Sequence, residues 1–503
     1  MKRTVNVLGK LNWGTRACAV LVLSATTAIA LPAQTLTTLY SFCSQSGCTD
    51  GNWPEARLVQ ATNGDLYGTT IYGGVAPFGC LASAFCSGTV FKITLGGTLT
   101  TLHRFCSQTN CPDGYLPLAA LFQAANGDFY GTTSGGGTSG NYGTVFKITP
   151  GGTLTTLHSF CSQTNCTDGE YPFAGLVQAT NGDFYGTTSG GANKRGTVFK
   201  ITPSGTLTTL YRFCSQTNCT DGAQPYARLV QATNGDFYGT TVFGGANDHG
   251  TVFKITPSGT LTTLYRFCSQ THCADGYGPQ GLVQDTDGDF YGTTNQGGAN
   301  HDSGTVFKIT LGGTLTTLYS FCSQSPCTDG KYPEALVQAT DGNLYGTTGG
   351  GGANSGGTVF KITPSGMLTT VYRFCSQSPC TDGFEPGAAL VQDTNGDFYG
   401  TTVGGGANGT CCSGGTVFRM SVGLGPFVKT QPTSGNLGAA VKILGTNLTG
   451  ATSVSFNGTA AVFEVVSSSE ITTTVPAGAS SGEVQVVTPS GTLSSNASFR
   501  VVP

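Results

Sequence analysis

Short runs of Val, Ile, Thr, Tyr and Phe alternate with turn residues along most of the chain, and they predict β-strands. One unit, residues 213–267, contains four such runs, which we name strands a, b, c and d: residues 227–232, 236–241, 251–256 and 260–267. Thr-Asn-Gly separates a from b, and Asn-Gly is a strong hairpin signal because both residues tolerate positive φ. Pro-Ser-Gly separates c from d. The unit therefore predicts four antiparallel strands.

The unit recurs at a nearly fixed period, which a Phe-Cys dipeptide after each strand d makes visible. The marker begins at Phe42, Phe105, Phe160, Phe213, Phe267, Phe321 and Phe374. The spacings are 63, 55, 53, 54, 54 and 53 residues, a period typical of repeat architectures. Seven copies of four antiparallel strands predict an all-β fold, a seven-bladed β-propeller over residues 34–421.

The phase of the repeat predicts how the ring closes. A lone strand d, residues 35–42, precedes the first copy, and the last copy ends on a strand c, residues 415–420. We expect the N-terminal strand to complete the last blade, because this pairing leaves no unpaired strand edge.

The pattern changes after Met420, where the Phe-Cys markers stop and Ser, Thr and Val dominate. Residues 422–426 form a short linker. Residues 427–503 then contain short alternating runs with turn signals between them, at 440–444, 453–456, 470–475 and 483–487. This segment predicts a small β-sandwich.

The N-terminal segment, residues 1–33, has the features of a signal peptide. Four basic residues precede or open an apolar run at 17–30, and Ala28-Ile29-Ala30 fits a small-x-small cleavage pattern. The alternative is an uncleaved membrane anchor. Apart from this run, no stretch approaches the ~20 apolar residues of a spanning helix. We therefore expect an exported protein, extracellular or at the cell surface, with no membrane span after cleavage.

Composition agrees with export and excludes one class of partner. Charged residues make up 10% of the chain and the net charge is −3, which gives no basic surface for nucleic acid. The 19 cysteines would be unusual in a reducing compartment, and removal of Cys18 with the signal peptide leaves an even number.

Fourteen cysteines form Cys-x4-Cys pairs directly after strand d, and we expect each pair to be a local disulfide. The pairs are Cys43 with Cys48, Cys106 with Cys111, Cys161 with Cys166, Cys214 with Cys219, Cys268 with Cys273, Cys322 with Cys327, and Cys375 with Cys380. The alternative is zinc, which requires further Cys or His ligands nearby. A histidine, His272, lies inside just one of these loops.

The remaining cysteines lie in two b–c loops that are neighbours in a closed ring. Cys80 and Cys86 belong to the first complete blade, and Cys411 and Cys412 belong to the last. One hypothesis is that disulfides between these loops lock the ring. The alternative is a Cys80–Cys86 bridge beside a vicinal or free pair at 411–412.

The chain resembles two families. The repeat core N-G-D-F-Y-G-T-T, followed by G-G and G-T-V-F-K-I-T, resembles the GloVer-type tandem repeat of exported bacterial proteins, many of which carry a C-terminal surface anchor. The resemblance implies a surface-associated repeat protein without an established activity, so it transfers no catalytic residue. No sorting motif follows the last domain.

The C-terminal segment is similar to the IPT/TIG domain, which has an immunoglobulin-like fold. The similarity rests on P-T-S-G (432–435), V-K-I-L-G-T-N-L (441–448), V-S-F-N-G (454–458), residues 471–476 and Phe499. It implies a spacer or binding module.

Strand directions place the b–c and d–a loops on one face and the tight a–b and c–d turns on the other. Loops on a rigid scaffold commonly carry binding, so the disulfide-loop face is the predicted working face. Each disulfide loop carries an aspartate before Gly, and these are candidate ligand groups: Asp50, Asp113, Asp168, Asp221, Asp275, Asp329 and Asp382. The alternative is a turn aspartate that bonds its own backbone.

Three further patterns contain charged or metal-binding residue types. Asp285-Thr-Asp287-Gly-Asp289 is similar to a calcium loop, although a hairpin turn explains it better. Asp248-His249 and His301-Asp302, in adjacent b–c loops, are a metal-site candidate against a solvated-surface alternative. The basic residue in each strand c is expected to pair with the aspartate that opens strand b, except in the sixth copy, where Asn343 replaces it.

These patterns say less about function than about fold. No Ser/His/Asp triad and no phosphate-binding loop is present, and the copies look nearly uniform. We expect a non-enzymatic binding or structural module, without cofactor or metal, whose partner is a carbohydrate or a surface protein. The alternative is a secreted carbohydrate-active enzyme, which rests on fold analogy.

Overall fold

The computed structural model describes residues 34–74, 87–191, 193–232, 234–352, 354–409 and 413–502. The predicted signal peptide and the four cysteines Cys80, Cys86, Cys411 and Cys412 lie outside these residues, as does Cys18. The hypothesis of a covalent lock therefore stays a prediction.

Strands of the repeat region form seven four-stranded antiparallel sheets among the described residues. The first strand in the chain, β1 (Thr35–Ser41), belongs to the last sheet. In the order a, b, c, d the first three sheets contain β2 (Val59–Gln60), β3 (Leu66–Thr70), β4 (Thr89–Ile93) and β5 (Leu99–Arg104); β6 (Phe122–Gln123), β7 (Phe129–Thr133), β8 (Thr144–Ile148) and β9 (Leu154–Ser159); and β10 (Val177–Gln178), β11 (Phe184–Thr188), β12 (Thr197–Ile201) and β13 (Leu207–Arg212).

The next three sheets continue the same order. They contain β14 (Val230–Gln231), β15 (Phe237–Thr241), β16 (Thr251–Ile255) and β17 (Leu261–Arg266); β18 (Tyr277–Gln284), β19 (Phe290–Gln296), β20 (Thr305–Ile309) and β21 (Leu315–Ser320); and β22 (Lys331–Gln338), β23 (Leu344–Gly350), β24 (Thr358–Ile362) and β25 (Leu368–Arg373). The seventh contains β26 (Val391–Gln392), β27 (Phe398–Thr402), β28 (Thr416–Ser421) and β1.

Strand a is shorter than predicted in five repeats. In the fourth repeat only Val230–Gln231 pairs with strand b, although the pattern predicted residues 227–232. In the fifth and sixth repeats the stretch from Pro to Leu is one residue shorter, and strand a extends over eight residues. The extra residue in the other repeats therefore interrupts the pairing, as a bulge does.

The predicted pairing of the N-terminal strand with the last sheet is confirmed. Strand β1 runs antiparallel to β28, with Thr35 opposite Ser421 and Ser41 opposite Thr416. The amide of Phe42 continues the pairing and donates to the Gly415 carbonyl at 2.9 Å.

Neighbouring sheets are joined by the same contacts in every repeat. The first Thr of the Thr-Thr pair in strand b donates its hydroxyl to a carbonyl of the next repeat, which lies just before strand a or within its first half: Thr69–Ala119, Thr132–Ala174, Thr187–Pro225, Thr240–Gln280, Thr293–Glu334, Thr347–Ala388 and Thr401–Ala56. The seventh of these bonds, 3.4 Å long, joins the last sheet to the first. The Tyr of strand b also stacks on the next sheet, as Tyr67 does on Phe129 with ring centroids 4.2 Å apart.

The expected ion pairs between strands c and b are present. Lys254 lies 3.6 Å from Asp236, and Arg419 lies 2.6 Å from Asp397. In the sixth repeat, where Asn343 replaces the aspartate, Lys361 pairs instead with Asp341 at 3.5 Å. The hairpin residue two positions earlier thus supplies the missing charge.

The second domain contains two four-stranded sheets and a parallel pair. One sheet consists of β29 (Lys429–Gln431), β31 (Ala440–Leu444), β35 (Glu470–Thr474) and β34 (Phe463–Val465); the other of β33 (Thr459–Ala460), β32 (Ser453–Phe456), β36 (Val484–Thr488) and β37 (Gly491–Ser494); and the pair of β30 (Ser434–Asn436) and β38 (Arg500–Val502). Buried residues of both sheets, such as Ile443, Ile471, Val454 and Val486, form one core. Within the described residues, no helix has the length and apolar character required to cross a membrane.

Candidate functional site

The seven Cys-x4-Cys pairs are disulfide-bonded in the structure, and each bond closes the loop that follows strand d. Cys43 is bonded to Cys48, Cys106 to Cys111, Cys161 to Cys166, Cys214 to Cys219, Cys268 to Cys273, Cys322 to Cys327, and Cys375 to Cys380. Each bond joins two cysteines of one loop, as the spacing predicts. The loops form the predicted working face.

The backbone inside the disulfide loops takes two forms. Four loops contain one turn of 3-10 helix: Ser46–Cys48, Thr164–Cys166, Thr217–Cys219 and Thr271–Cys273. The other three loops, whose second cysteines are Cys111, Cys327 and Cys380, contain turns without a 3-10 helix. In both forms the amide of the second cysteine donates to the carbonyl of the Gln three positions earlier, as Cys111 does to Gln108 at 3.0 Å. The two forms therefore share one closing hydrogen bond.

A buried aspartate is the hydrogen-bond centre of each disulfide loop. Asp221 accepts from the Tyr211 hydroxyl at 2.8 Å, from the Ser215 amide and hydroxyl at 2.9 and 3.0 Å, and from the Gln216 amide at 3.3 Å. Its six counterparts are 0 to 8% exposed: Asp50, Asp113, Asp168, Asp275, Asp329 and Asp382. These carboxylates hold the loops in shape and do not present themselves to solvent as a ring of ligands.

The tyrosine partner of this aspartate is fixed as a hydrogen-bond donor. Burial, together with the neighbouring Asp221 carboxylate, raises the pKa of Tyr211 to about 12. The same arrangement raises the pKa of Tyr372 to about 12. At the end of the second sheet a histidine, His158, replaces the tyrosine 3.1 Å from Asp168, and burial lowers its pKa. The tyrosine-centred loops therefore keep their bonding through the neutral pH range.

Replacing the loop aspartate is expected to cost much more stability than replacing a surface aspartate. Asp221→Ala leaves the Tyr211 hydroxyl and two amides without their acceptor, and we expect a loss of about 3 kcal/mol. The matched control, Asp236→Ala, breaks a partly exposed ion pair and is expected to cost less than about 1 kcal/mol. Urea unfolding of both variants measures the difference, and equal losses would contradict the structural role.

The run at 285–289 adopts a hairpin turn. The Gly288 amide donates to the Asp285 carbonyl at 2.9 Å, and the Asp285 amide donates to the Asp289 carbonyl at 3.0 Å. Asp287 and Asp289 each lie 2.9 Å from the Lys308 ammonium. The carboxylates are thus used within the hairpin and its ion pairs.

The two His-Asp pairs lie in loops that a tyrosine bridges. Asp248 accepts from the amide of its own loop residue Gly244, and Asp302 accepts from the Tyr277 hydroxyl at 2.9 Å. The His249 ring lies against Tyr277, with centroids 4.8 Å apart. His249 also approaches Cys268 and Cys273, but those sulfurs are joined to each other and offer no thiolate.

Three glutamates that the sequence analysis did not single out lie close together where strand a begins. A Cβ built on Gly349 would lie 3.8 Å from Glu334 Oε1 and 3.9 Å from Glu385 Cγ. Across the next sheet boundary, a Cβ on Gly387 would lie 3.1 Å from Glu55 Cγ. The sixth, seventh and first repeats thus bring three carboxyl groups to one place.

The environment of these glutamates favours their neutral forms. Burial, and then the charges of Glu55 and Glu385, raise the pKa of Glu334 to about 8. Burial and the charge of Glu385 also raise the pKa of Glu55. At neutral pH the trio therefore holds at least one proton. A protonated carboxyl then lies beside an ionised one, which is the pair of groups that general acid–base chemistry uses.

Removing the Glu334 carboxyl is expected to flatten the pH dependence of stability. The folded protein holds this proton more tightly than the unfolded chain, so stability falls as pH rises from 4.5 to about 8. Melting temperatures across this interval should fall less steeply for Glu334→Gln than for the wild type. Glu464→Gln, at an exposed position, should keep the wild-type slope. Identical slopes for all three proteins would contradict the shift.

A cavity of about 400 Å³ lies beside the glutamates, between the fifth, sixth and seventh repeats. Glu334 and Glu385 line it together with Tyr332, Asn295 and Gln296. It adjoins the two repeats in which the stretch from Pro to Leu is one residue shorter. In the sixth repeat the longer strand a, Lys331–Gln338, includes Tyr332 and Glu334, so this strand supplies two of the residues that line the cavity.

The second domain contacts the opposite face, at the a–b turns. The Ser469 hydroxyl donates to the Thr62 carbonyl at 2.9 Å, and the Thr446 and Thr394 hydroxyls lie 2.9 Å apart. Lys429 enters between the sheets, where its ammonium donates to Gln60 Oε1 at 3.2 Å and to the Gln392 carbonyl. These contacts close the a–b turn face over the first and seventh repeats.

One sequence signal points to two of the glutamates, Glu55 and Glu334. The residue after the Pro that precedes strand a differs in most copies, whereas its neighbours repeat: Glu55, Leu118, Phe173, Tyr226, Gln280, Glu334 and Gly387. Variation at one position of a repeated scaffold indicates a position with its own role in each copy. The apparent uniformity of the copies concealed this, because their strands b and c are nearly identical.

Comparison with known families identifies both parts of the chain. The sequence model of the Gloeobacter/Verrucomicrobia repeat matches residues 25–188, 161–337 and 279–443, and the model of the IPT/TIG domain matches residues 427–501. No protein with a curated description matches the chain.

Two solved structures are similar at low identity. The extracellular domain of a putative hybrid two-component system from B. thetaiotaomicron is 12% identical with a TM-score of 0.49, and the match covers 94% of this chain and 59% of that one. PorZ, an essential surface component of the type-IX secretion system of Porphyromonas gingivalis, is 14% identical with a TM-score of 0.47, and the match covers 88% and 58%. The chain thus spans less than two thirds of each of these proteins.

Proposed function

The chain belongs to the Gloeobacter/Verrucomicrobia repeat family and carries a C-terminal IPT/TIG domain, and on this basis we propose that it is an exported binding or structural module. It acts outside the cell or at the cell surface, without catalysing a reaction. Its repeats form a closed seven-bladed β-propeller whose disulfide-loop face meets the partner, a carbohydrate or a surface protein.

The closed ring is supported by contacts between the ends of the repeat region. Strand β1 pairs with β28, and Thr401 bonds to the Ala56 carbonyl in the same way that each preceding repeat bonds to its successor. Buried residues of the first and last sheets, such as Leu66 and Tyr399, share one cluster. A linear array of repeats would leave both ends unpaired, so these contacts favour the ring.

The observation that carries the assignment of the working face is the position of the second domain. Its contacts with Thr62 and Thr394 lie at a–b turns, and Lys429 reaches inward from the same side. The face formed by the disulfide loops lies at the other end of the strands. Seven cross-linked loops on a rigid scaffold give that face a fixed shape, which suits recognition.

Blocking each face in turn tests the proposal. A bulky polymer is attached through a single cysteine either at Thr217, in a disulfide loop, or at Ser258, in a c–d turn; both residues are exposed. Each labelled protein is used to capture partners from the host cell surface and on a glycan array. Loss of binding with the Thr217 label but not with the Ser258 label is expected, and the reverse result would contradict the assigned face.

A second candidate function is a secreted carbohydrate-active enzyme, and the Glu55, Glu334 and Glu385 cluster is the observation that favours it. Hydrolysis of a glycosidic bond uses a protonated and an ionised carboxyl on either side of the bond. A hydrolysis screen on the sugars that bind decides between the two functions. Turnover that disappears in Glu334→Gln would establish the enzyme, whereas binding without turnover is the expected result.

A further inference from the structure

The residue directly before the Leu that precedes or lies in strand a is Gly or Ala in five repeats and Arg in two. The seven residues are Arg57, Ala120, Gly175, Arg228, Gly281, Ala335 and Ala389. They follow one another around the inside of the sheets, since a Cβ built on Gly281 would lie 3.4 Å from the Cβ of Ala335. We call the space that they surround the axial channel. The Gly and Ala residues leave this channel unfilled, and the side chains of Arg57 and Arg228 extend into it.

Arg228 extends across the neighbouring repeats towards Arg57. Its Nε donates to the Leu176 carbonyl of the third repeat at 2.9 Å, and its guanidinium carbon lies 5.5 Å from the centroid of the Phe122 ring in the second repeat. Gly175 allows the second and third repeats to approach closely beside this arginine, because a Cβ there would lie 2.8 Å from the Ala120 carbonyl. The guanidinium group therefore lies near the first repeat, which holds Arg57.

Arg57 is at the centre of three cations. Its Nε is buried and has no hydrogen-bond partner within the described part of the chain. Its charge contributes to the lowered pKa of Arg228 on one side, about 10, and to that of Lys429 on the other, about 8; burial is the larger cause in both. Asp393 opposes the shift at Lys429, yet no carboxylate of the described residues lies within 4.0 Å of these three cations.

Three cations without an ion pair repel one another in a partly buried space. A guanidinium group stays charged at any physiological pH, so the cluster cannot relax by losing all its protons. An oxyanion that bridges Arg57 and Arg228 would satisfy the free Nε and relieve the repulsion. Carboxylate and sulfate groups match the fork of N–H donors on a guanidinium.

The mouth of the channel on the disulfide-loop side carries exposed aromatic rings. Tyr171, Tyr226 and Tyr332, which adjoin the prolines that precede strand a, are 37, 39 and 38% exposed. The Tyr226 ring is supported edge-on by Phe173 at 5.1 Å. Rigid aromatic rings with a polar edge suit the flat, partly apolar faces of sugar rings.

We propose that the axial channel binds an acidic saccharide, whose carboxylate or sulfate group is held by Arg57 and Arg228 while its sugar rings lie against the tyrosines at the mouth. This inference rests on the proposed function, to which it adds the chemical class of the ligand. Glu55 and Glu385 accept hydrogen bonds from neutral sugar hydroxyls. The largely protonated Glu334 limits the repulsion of an entering anion.

Binding measurements with three probes test this site. The affinities of the full chain for trigalacturonate, galactotriose and inorganic sulfate are measured by calorimetry, with Trp53 fluorescence at the mouth as a second readout. Trigalacturonate is expected to bind at least about tenfold more tightly than either other probe. Arg57→Met and Arg228→Met are each expected to weaken its binding by about tenfold or more. Arg195→Met, at an exposed loop arginine, is the matched control and should bind like the wild type.

Folding of the variants is checked by their melting temperatures. Arg57→Met is expected to melt no lower than the wild type, because removing an unpaired and partly buried charge relieves repulsion. Absence of trigalacturonate binding, or binding that Arg57→Met and Arg228→Met leave unchanged, overturns the inference. Sulfate binding as tight as trigalacturonate binding overturns the saccharide assignment. Surface capture that survives in both variants while saccharide binding is absent rejects this inference and retains the proposed function.

Discussion

A chain that lacks strand β1 (Thr35–Ser41) is expected to lose about 5 kcal/mol or more of its folding free energy and to associate through the exposed edge of β28. Leu36, Leu39 and Tyr40 of this strand pack against the buried clusters of the first and last sheets. Full burial of such a side chain contributes about 1.5–3 kcal/mol, and these three side chains are partly buried. The deletion also removes the backbone pairing that joins the two ends of the repeat region.

Complementation in trans measures this effect and separates it from a general failure to fold. The truncated chain is expected to recover its melting temperature and monomeric state when a peptide with the sequence of residues 35–42 is added, because an open sheet edge accepts a strand. A scrambled peptide is the control. Wild-type stability of the truncated chain without peptide would contradict the closure.

Gly196→Ala is expected to destabilise the protein far more than Gly182→Ala, although both glycines have positive φ and lie in the same repeat. At Gly196 a Cβ would lie 2.4 Å from the Thr188 carbonyl oxygen and 2.6 Å from Cδ of Pro225 in the next sheet. We expect a loss of about 4 kcal/mol or more there, from backbone strain together with the clash between sheets. At Gly182, where a Cβ would meet nothing within 4 Å, the expected loss is about 1 kcal/mol, from strain alone.

Urea unfolding of the two variants gives the comparison directly, because they carry the same substitution at similar φ. The same glycine contact recurs from sheet to sheet and is also made by Gly415 of the last sheet against Pro54, where a Cβ would lie 2.6 Å from Cδ. Gly415→Ala should therefore behave like Gly196→Ala. Similar losses of stability in Gly196→Ala and Gly182→Ala would contradict the predicted clash between the sheets.

Much of the fold was predictable because it is repeated seven times. Strands b, c and d, the Asn-Gly hairpins and the pairing of β1 with β28 follow from runs whose side chains alternate locally. Strand a was predicted too long, since whether Ala227 and Arg228 pair depends on a single extra residue opposite strand b. That effect becomes visible only when the two strands are side by side.

The candidate site was less predictable, because its parts come from distant repeats. The loop aspartates were found from the sequence, but their role as buried hydrogen-bond centres required the distances to Tyr211 and Ser215. Glu55 and Glu334 are 279 positions apart in the chain, yet the charge of Glu55 raises the pKa of Glu334. No local sequence pattern predicts that these two residues lie close together.

The sequence by itself determined the repeat, the strand types, the local disulfide pairs and the family, because each depends on residues that are close in the chain. Only the tertiary structure decided which side chains of different repeats lie close together and which turns the second domain contacts. The physical reason is that packing similar sheets against one another brings equivalent positions of different repeats close together. Those positions carry chemically different residues. Charge and burial act there between groups such as Arg57 and Arg228 that share no local sequence context.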